Sequence, residues 1–327
     1  MIDLHLHFDG SLLPRTILEL AREQQIPLPA EDPDELKLFL TAPESCESLN
    51  EYLEKFDLPL SVLQTKEAIC KAMYTLLSSL KEQGMLYVEL RFAPQAHLRK
   101  GLTQEDVVKA AILGMQEATA GSFFKAKLIL CCMRGGDNQG ANKKTIETAA
   151  AFLGRGVAAV DLAGAEALFP TADYEELFAY ATNLGVPFTI HAGEADGAES
   201  IEAALRFGAV RIGHGVRANE DEKILNILGE KQIPLEMCPT SNVQTKAVTS
   251  ISKHPILTYL RSGLKVTVNT DNMTVSDTTI EREYQRLEEE LGMTKEEKKL
   301  LLFNAADAAF LTEEECGRMK DVIGRIL

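Results

Sequence analysis

Eight short apolar segments, each bounded by turn residues, punctuate the chain at Ile2–His7, Met85–Ala93, Ala126–Met133, Val157–Leu162, Pro187–His191, Val210–His214, Leu235–Cys238 and Lys265–Asn269. Their length and their apolar or β-branched content predict buried strands. The stretches between them carry apolar residues at helical spacing, as in Thr145–Leu153, Asp173–Leu184, Ala198–Phe207 and Glu220–Leu228. Strand and helix alternating at this interval predict a parallel sheet. Eight such units predict an α/β fold, a (β/α)8 TIM barrel whose outer helices cover the sheet.

Two stretches exceed what a plain barrel needs. Close to eighty residues separate the first strand from the second, and within them Glu44–Phe56 reads as a helical insertion on the top face of the barrel. From Thr278 onward, Thr278–Glu281 and Thr294–Glu297 carry the capping-box spacing, each before helix-forming sequence, so extra C-terminal helices are expected. No internal repeat or low-complexity linker interrupts the pattern, and residues 1–327 read as a single domain.

Composition narrows the function classes. The chain is 45% hydrophobic with a net charge of −15, which argues against nucleic acid, because phosphate binding needs clustered Lys and Arg. No apolar run reaches the ~20 residues of a membrane span, and the first residues lack the basic and apolar regions of a signal peptide. The six cysteines include no C-x-x-C pair, so a reduced, cytoplasmic setting is expected.

Four of the six histidines stand in short motifs at predicted strand ends: His5 and His7 in His5-Leu6-His7, His191 in His191-Ala192-Gly193-Glu194, and His214 in Gly213-His214-Gly215. Thr270-Asp271-Asn272 follows the eighth segment. In a barrel of this kind the active site gathers at the C-terminal ends of the strands. Side chains alternate along a strand, so His5 and His7 face the same way, into the barrel. Singly, each motif has a plainer reading: a core polar pair, a Glu opening the next helix, an Asp capping one. Together, three imidazoles and a carboxylate form a donor set suited to Zn2+, with Fe2+ or Co2+ able to accept the same ligands. His97 and His254 stand in polar, loop-like contexts without evident chemistry, and Glu89 and Arg91 are expected to pair inside the barrel. Cys238-Pro239 lacks the second cysteine of the cytidine-type zinc deaminases, which excludes that fold.

The joint pattern of His5-x-His7-x-Asp9-Gly10, Asp161-Leu162-Ala163-Gly164, His191-Ala192-Gly193-Glu194, Gly213-His214-Gly215 and Thr270-Asp271 resembles the adenosine deaminases, bacterial type, of the amidohydrolase superfamily. The likeness also takes in Ser48–Phe56, Tyr87–Arg91 and Phe303–Ala306. It implies hydrolytic deamination of adenosine and 2′-deoxyadenosine to the inosines, with release of ammonia, by a metal-activated hydroxide adding to purine C6. It further implies one Zn2+ held by His5, His7, His191 and Asp271, Glu194 protonating N1, His214 orienting the nucleophile and Asp271 carrying its proton. His7 and Asp9 would lie near the ribose hydroxyls, the Gly164 backbone at N3 and Asn272 at N7. Leu49, Tyr52, Leu53 and Phe56 would form an apolar lid.

Two positions depart from the family pattern. Asn272 stands where many members have a second Asp, and Ala165 where Asp often follows the glycine. An amide can donate to N7 without prior protonation, so purine recognition survives the first change. Related readings are a deaminase of adenine, methylthioadenosine or a modified adenosine, and a catalytically silent binding protein on the same scaffold. Asp9 speaks against adenine, which has no ribose to contact. A two-metal amidohydrolase is disfavoured because the fourth strand end, Asp161–Gly164, offers no bridging Lys.

Overall fold

A computed structural model describes residues 1–43 and 46–326. The eight strands are β1 (Ile2–His7), β2 (Tyr87–Phe92), β3 (Lys125–Met133), β4 (Val157–Ala163), β5 (Thr189–Ala192), β6 (Arg211–His214), β7 (Leu235–Met237) and β8 (Val266–Val268). All pair in parallel with their sequence neighbours, as two four-stranded halves, β1 to β4 and β5 to β8. Single bridges close both seams. Val160 pairs with Phe188 between β4 and β5, while Leu6 pairs with Asp271 just past β8. The second seam consists of His7 N–H donating to the Asp271 carbonyl (2.7 Å) and Asp271 N–H donating to the His5 carbonyl (2.8 Å). Barrel closure and the candidate metal ligands therefore share the same peptide units.

The alternation Ile-Asp-Leu-His-Leu-His in β1 shows how the layers divide. Ile2, Leu4 and Leu6 join the main apolar core, whereas Asp3, His5 and His7 meet polar partners across the barrel. Every one of them except His7 is buried, as expected for a parallel strand covered on both faces.

The barrel interior holds a network of ionised side chains. Arg91 bonds Asp161 and Glu236 at 2.8 Å each and the Leu4 carbonyl at 2.7 Å. Arg211 bonds Glu236 at 2.6 Å and also Glu89, which accepts from Tyr87 at 2.8 Å. Glu89 and Arg91 thus do not pair with each other. Two residues apart on one strand face, they lie in successive layers of the barrel, and each reaches across to another strand. Both arginines are essentially fully buried, so removing one partner would strand a charge at a cost of about 3–5 kcal/mol.

The insertion after β1 is helical, as expected, but segmented. Leu49–Leu53 is followed by a 3-10 turn at Glu54–Phe56 and a helix at Asp57–Val62. Glu44 and Ser45, at the start of the expected element, lie outside the described residues. The C-terminal helices are Ile280–Leu291, Lys295–Ala308 and Glu313–Ile326. Thr294 and Glu297 form the capping box read from their spacing. The box expected at Thr278–Glu281 does not form, and a simple cap one residue later replaces it. Thr279 caps the helix by accepting from Arg282 N–H, because the Thr278 hydroxyl is taken by the buried Glu283 carboxylate. Among the described residues, no helix is long and apolar enough to cross a membrane.

His97 is buried, contrary to its loop-like sequence context. Its Nδ1 lies 2.9 Å from the Leu63 carbonyl, and among the described residues its Nε2 has no partner. Burial, with a small push from Arg99, lowers its pKa to about 4 against a backbone bond acting the other way. Because the folded pKa is depressed, the stabilisation is complete above the unfolded value near 6.5 and is lost as pH falls toward 4. In denaturant titrations, the stability gap between the wild type and His97→Gln should narrow by about 2 kcal/mol from pH 7.5 to pH 5. A pH-independent gap would show that His97 is charged or exposed in the fold.

Candidate metal centre and active site

The strand ends bring His5, His7, His191 and Asp271 together so that one donor atom of each lies within 4.8 Å of the others. His5 Nε2 and His7 Nε2 stand 3.1 and 3.2 Å from His191 Nε2, and 3.5 and 3.4 Å from Asp271 Oδ1. Ligands about 2.0–2.1 Å from a tetrahedral metal sit about 3.3 Å from one another, and these spacings agree. Carboxylates or a hydroxyl stand close behind three of the four. His5 Nδ1 meets Glu236 at 2.9 Å, His191 Nδ1 lies 2.9 Å from Asp161, and Asp271 Oδ2 accepts from Ser241 at 2.6 Å. Carboxylates behind imidazoles fix the ring tautomer and raise ligand basicity. The Arg91 network holds both carboxylates in place. Although burial is the largest influence and opposes it, His191 and Arg91 keep Asp161 well below the usual carboxylate range.

Asp271 of this set and the expected site residue His214 have left-handed backbones, at φ 61° and φ 60°. Such conformations are uncommon for non-glycine residues, and Asp and His are among the side chains that tolerate them best. They turn both side chains toward the barrel mouth, Asp271 held by the seam bonds and His214 by the bond from Gly215 N–H to the Ala192 carbonyl.

Glu194 follows β5 on a loop anchored from below. Its own peptide N–H and those of Gly193, Ala195 and Asp196 all donate to the buried carboxylate of Glu166, at 2.7 to 3.1 Å, and the Ser200 hydroxyl adds a fifth bond. The Glu194 carboxyl receives Thr245 Oγ1 at 2.9 Å and lies 3.4 Å from His214 Nε2. Burial, then the negative charge of Asp271, raises its pKa to about 8. A carboxyl shifted in this direction keeps its proton to higher pH than an ordinary one, which suits it to donate. Glu166→Gln would place an amide N–H against peptide N–H groups. It is expected to lower kcat by about tenfold or more while metal content is retained, since a misplaced acid costs rate. Unaltered kcat in a folded Glu166→Gln protein would show that the loop needs no such anchor.

A cavity of about 240 Å³ opens above these groups. Its walls include His7, Asp9, Gly164, His191, Glu194, His214, Asp271 and Asn272, with Leu49, Tyr52, Leu53 and Phe56 across the top. Of the residues expected at the site, all but His5 line this space; His5 is fully buried, with its Nε2 3.1 Å from His191 Nε2. Asp9 lies on a 3-10 turn just past β1, and burial lifts its pKa to about 6. Gly164 takes φ 107°, which only glycine adopts without strain, so its backbone borders the cavity. Asn272 packs against Gly10, where a methyl group would stand 1.9 Å from Asn272 Oδ1. Tyr52 is buried, with its hydroxyl 2.6 Å from Ser276 Oγ.

Sequence reading missed Asp161, Glu236 and Glu166 as supports, and Ser241, Asn242, Thr245 and His254 altogether. The first two carried a signal, since each is an acidic residue inside an otherwise apolar strand. His254, set aside as loop-like, is buried and reaches His214 through Asn242.

With this geometry, comparison with known proteins is specific. The sequence profile described as adenosine deaminase matches residues 1–326. The adenosine deaminase of Haemophilus ducreyi is 51% identical over 319 residues, covering 96% of this chain and 93% of that protein. That of Enterococcus faecalis is 41% identical over 314 residues, at 96% and 93% coverage. Among solved structures, the adenine deaminase of Arthrobacter aurescens aligns with TM-score 0.90 at 27% identity, over 99% of this chain and 98% of that chain. The Arabidopsis N6-mAMP deaminase aligns with TM-score 0.85 at 25% identity, over 99% and 97%. The chain belongs to the adenosine deaminase family.

Proposed function

We propose that this protein hydrolytically deaminates adenosine and 2′-deoxyadenosine to inosine and 2′-deoxyinosine, releasing ammonia. The observation that carries the reading is the geometry: the buried Glu194 carboxyl, its pKa raised by burial, lines one cavity with His7, His191 and Asp271 of the four clustered ligands. His5, His7, His191 and Asp271 would hold the metal. Three imidazoles and a carboxylate suit Zn2+, and Fe2+ or Co2+ would accept the same donors. The metal's part is to lower the pKa of a water toward neutrality, which supplies a nucleophile at ordinary pH.

The chain's own residues do the rest. Aromatic C6 is a poor electrophile until N1 is protonated, and Glu194 is placed and protonated to do this. His214 orients the oxygen that adds to C6 and stabilises charge on it. Asp271, whose Oδ2 is tied to Ser241, takes up the proton released and passes it toward the departing ammonia. The Gly164 backbone meets purine N3, and Asn272 meets N7. Asp9 is the nucleoside contact; it lines the cavity, and its carboxylate accepts from the Gly10 N–H at 3.2 Å. Leu49, Tyr52, Leu53 and Phe56 exclude water as a lid. Six free thiols, among them the adjacent Cys131 and Cys132, support a cytoplasmic setting.

A second reading, adenine as substrate, is favoured by the likeness to the Arthrobacter enzyme. It leaves Asp9 without a ribose to bind. The test is kcat/KM for adenosine, 2′-deoxyadenosine, adenine, methylthioadenosine and AMP, followed by absorbance change and ammonia release. Adenosine and its deoxy form should lead. A clear preference for adenine, or no turnover of any purine, would overturn the proposal. Within the same assay, Asn272→Ala should reduce kcat/KM for adenosine by about tenfold, the worth of one hydrogen bond. An unchanged value would remove Asn272 from the site.

A further inference from the structure

Behind His214 lies a chain of three buried side chains in which every hydrogen-bonding role is determined. Asn242, on the short helix after β7, takes the Cys238 peptide N–H on Oδ1 at 3.2 Å. A peptide N–H can only donate, so the atom it meets is the amide oxygen, and the orientation of the amide follows. The NH2 end then stands 3.0 Å from His214 Nδ1, and its other hydrogen is offered to Glu194 Oε1 at 3.5 Å. An NH2 group can only donate, so Nδ1 of His214 carries no proton.

The other end of the chain agrees independently. His254 Nε2 lies 3.2 Å from the same Asn242 Oδ1, so it must carry hydrogen. Its Nδ1 must then accept, and the Ile256 peptide N–H donates to it at 3.3 Å. Burial lowers the His254 pKa to about 3, which keeps the ring neutral and this pattern intact. All three side chains are at least 97% buried, so water does not compete for these positions.

We infer that Asn242 and His254 are positioning residues that hold His214 as the Nε2–H tautomer, making it a hydrogen-bond donor to the reacting oxygen rather than a base. With Nδ1 occupied by the amide, the single proton of neutral His214 sits on Nε2, which faces Glu194 Oε2 at 3.4 Å and the cavity. The opposite tautomer would present a lone pair there, and would compete for the proton that Glu194 delivers. The left-handed backbone of His214 and the bond from Gly215 N–H to the Ala192 carbonyl fix where the ring stands. The amide decides what it presents. What His214 contacts during turnover rests on the deamination reading, but the tautomer does not.

The test is long-range 1H–15N correlation on protein labelled at histidine, which has six such rings to assign. In the wild type, with and without metal, His214 should be neutral with Nε2 protonated and Nδ1 bare. Asn242→Asp replaces the donor with an acceptor and should move the proton to Nδ1. At equal metal content, kcat should fall by about 10²–10³-fold, the cost of losing one donor to a developing oxyanion, with little change in KM. His254→Gln, which can still offer an N–H, should keep kcat within a few-fold of wild type, while His254→Leu should not. Nδ1-protonated His214 in the wild type overturns the inference, whatever the variants do. So does an Asn242→Asp protein that folds and binds metal yet keeps its tautomer and kcat. If Asn242→Asp does not fold, the wild-type spectrum decides alone. Wild-type turnover of adenosine, measured alongside, tests the deamination reading separately.

Discussion

Glu194→Gln is expected to bind metal as the wild type does and to lose turnover by about 10³-fold, within the range of a general acid's contribution. The substitution keeps the shape of the side chain and its contact with Thr245, and it leaves the Glu166 anchor on the backbone untouched. It removes only the acidic proton. KM should change little, because an amide can still meet N1 in the ground state. The wild-type rate should also decline at alkaline pH. Burial and the Asp271 charge hold the Glu194 pKa near 8, and above that value the acid is ionised and has no proton to give. A Glu194→Gln enzyme with near-wild-type kcat would remove the proton-donor assignment.

The second large effect belongs to Asp271. Asn is the informative replacement, because residue 271 sits at φ 61° and Asn adopts that conformation readily. The seam bonds from its peptide to His5 and His7 should therefore persist, and the barrel should stay closed. Asp271→Asn is expected to weaken metal affinity markedly, since an anionic ligand becomes neutral, and to lower kcat by about 10³-fold or more. Raising metal until the site is full should restore occupancy and not the rate, because the amide cannot accept the nucleophile's proton. Full recovery of kcat at saturating metal would confine Asp271 to a ligand's role.

Much of this arrangement was legible in the sequence because it depends on local rules. Strand ends mark the mouth of a barrel, and the two-residue period of β1 sends His5 and His7 inward together. The Thr294 box follows from a fixed spacing. What escaped depends on contacts between distant segments. Asp161 and Glu236 stand out as acids within apolar strands, but nothing local says that they support His191 and His5 or that Arg91 sits between them. Glu89 and Arg91 share a strand face, yet barrel layering sends each to a different partner. His254 lies 12 residues from Asn242 and Asn242 lies 28 from His214. Only the fold turns an isolated, loop-like histidine into the end of a hydrogen-bonded chain. The one-residue shift from Thr278 to Thr279 has a similar origin, since buried Glu283 claims the first hydroxyl.

The central claim is that four strand-end ligands and one protonated acid together make a hydrolytic deaminase. Titrating Zn2+ into chelator-treated protein, with ammonia release from adenosine as the readout, tests it most directly. Activity should be absent at the start, rise in proportion to metal added, and level off at one metal per chain, while Glu194→Gln binds the same single equivalent and stays silent. Full adenosine turnover by the metal-free protein, or none at full occupancy, would contradict the account.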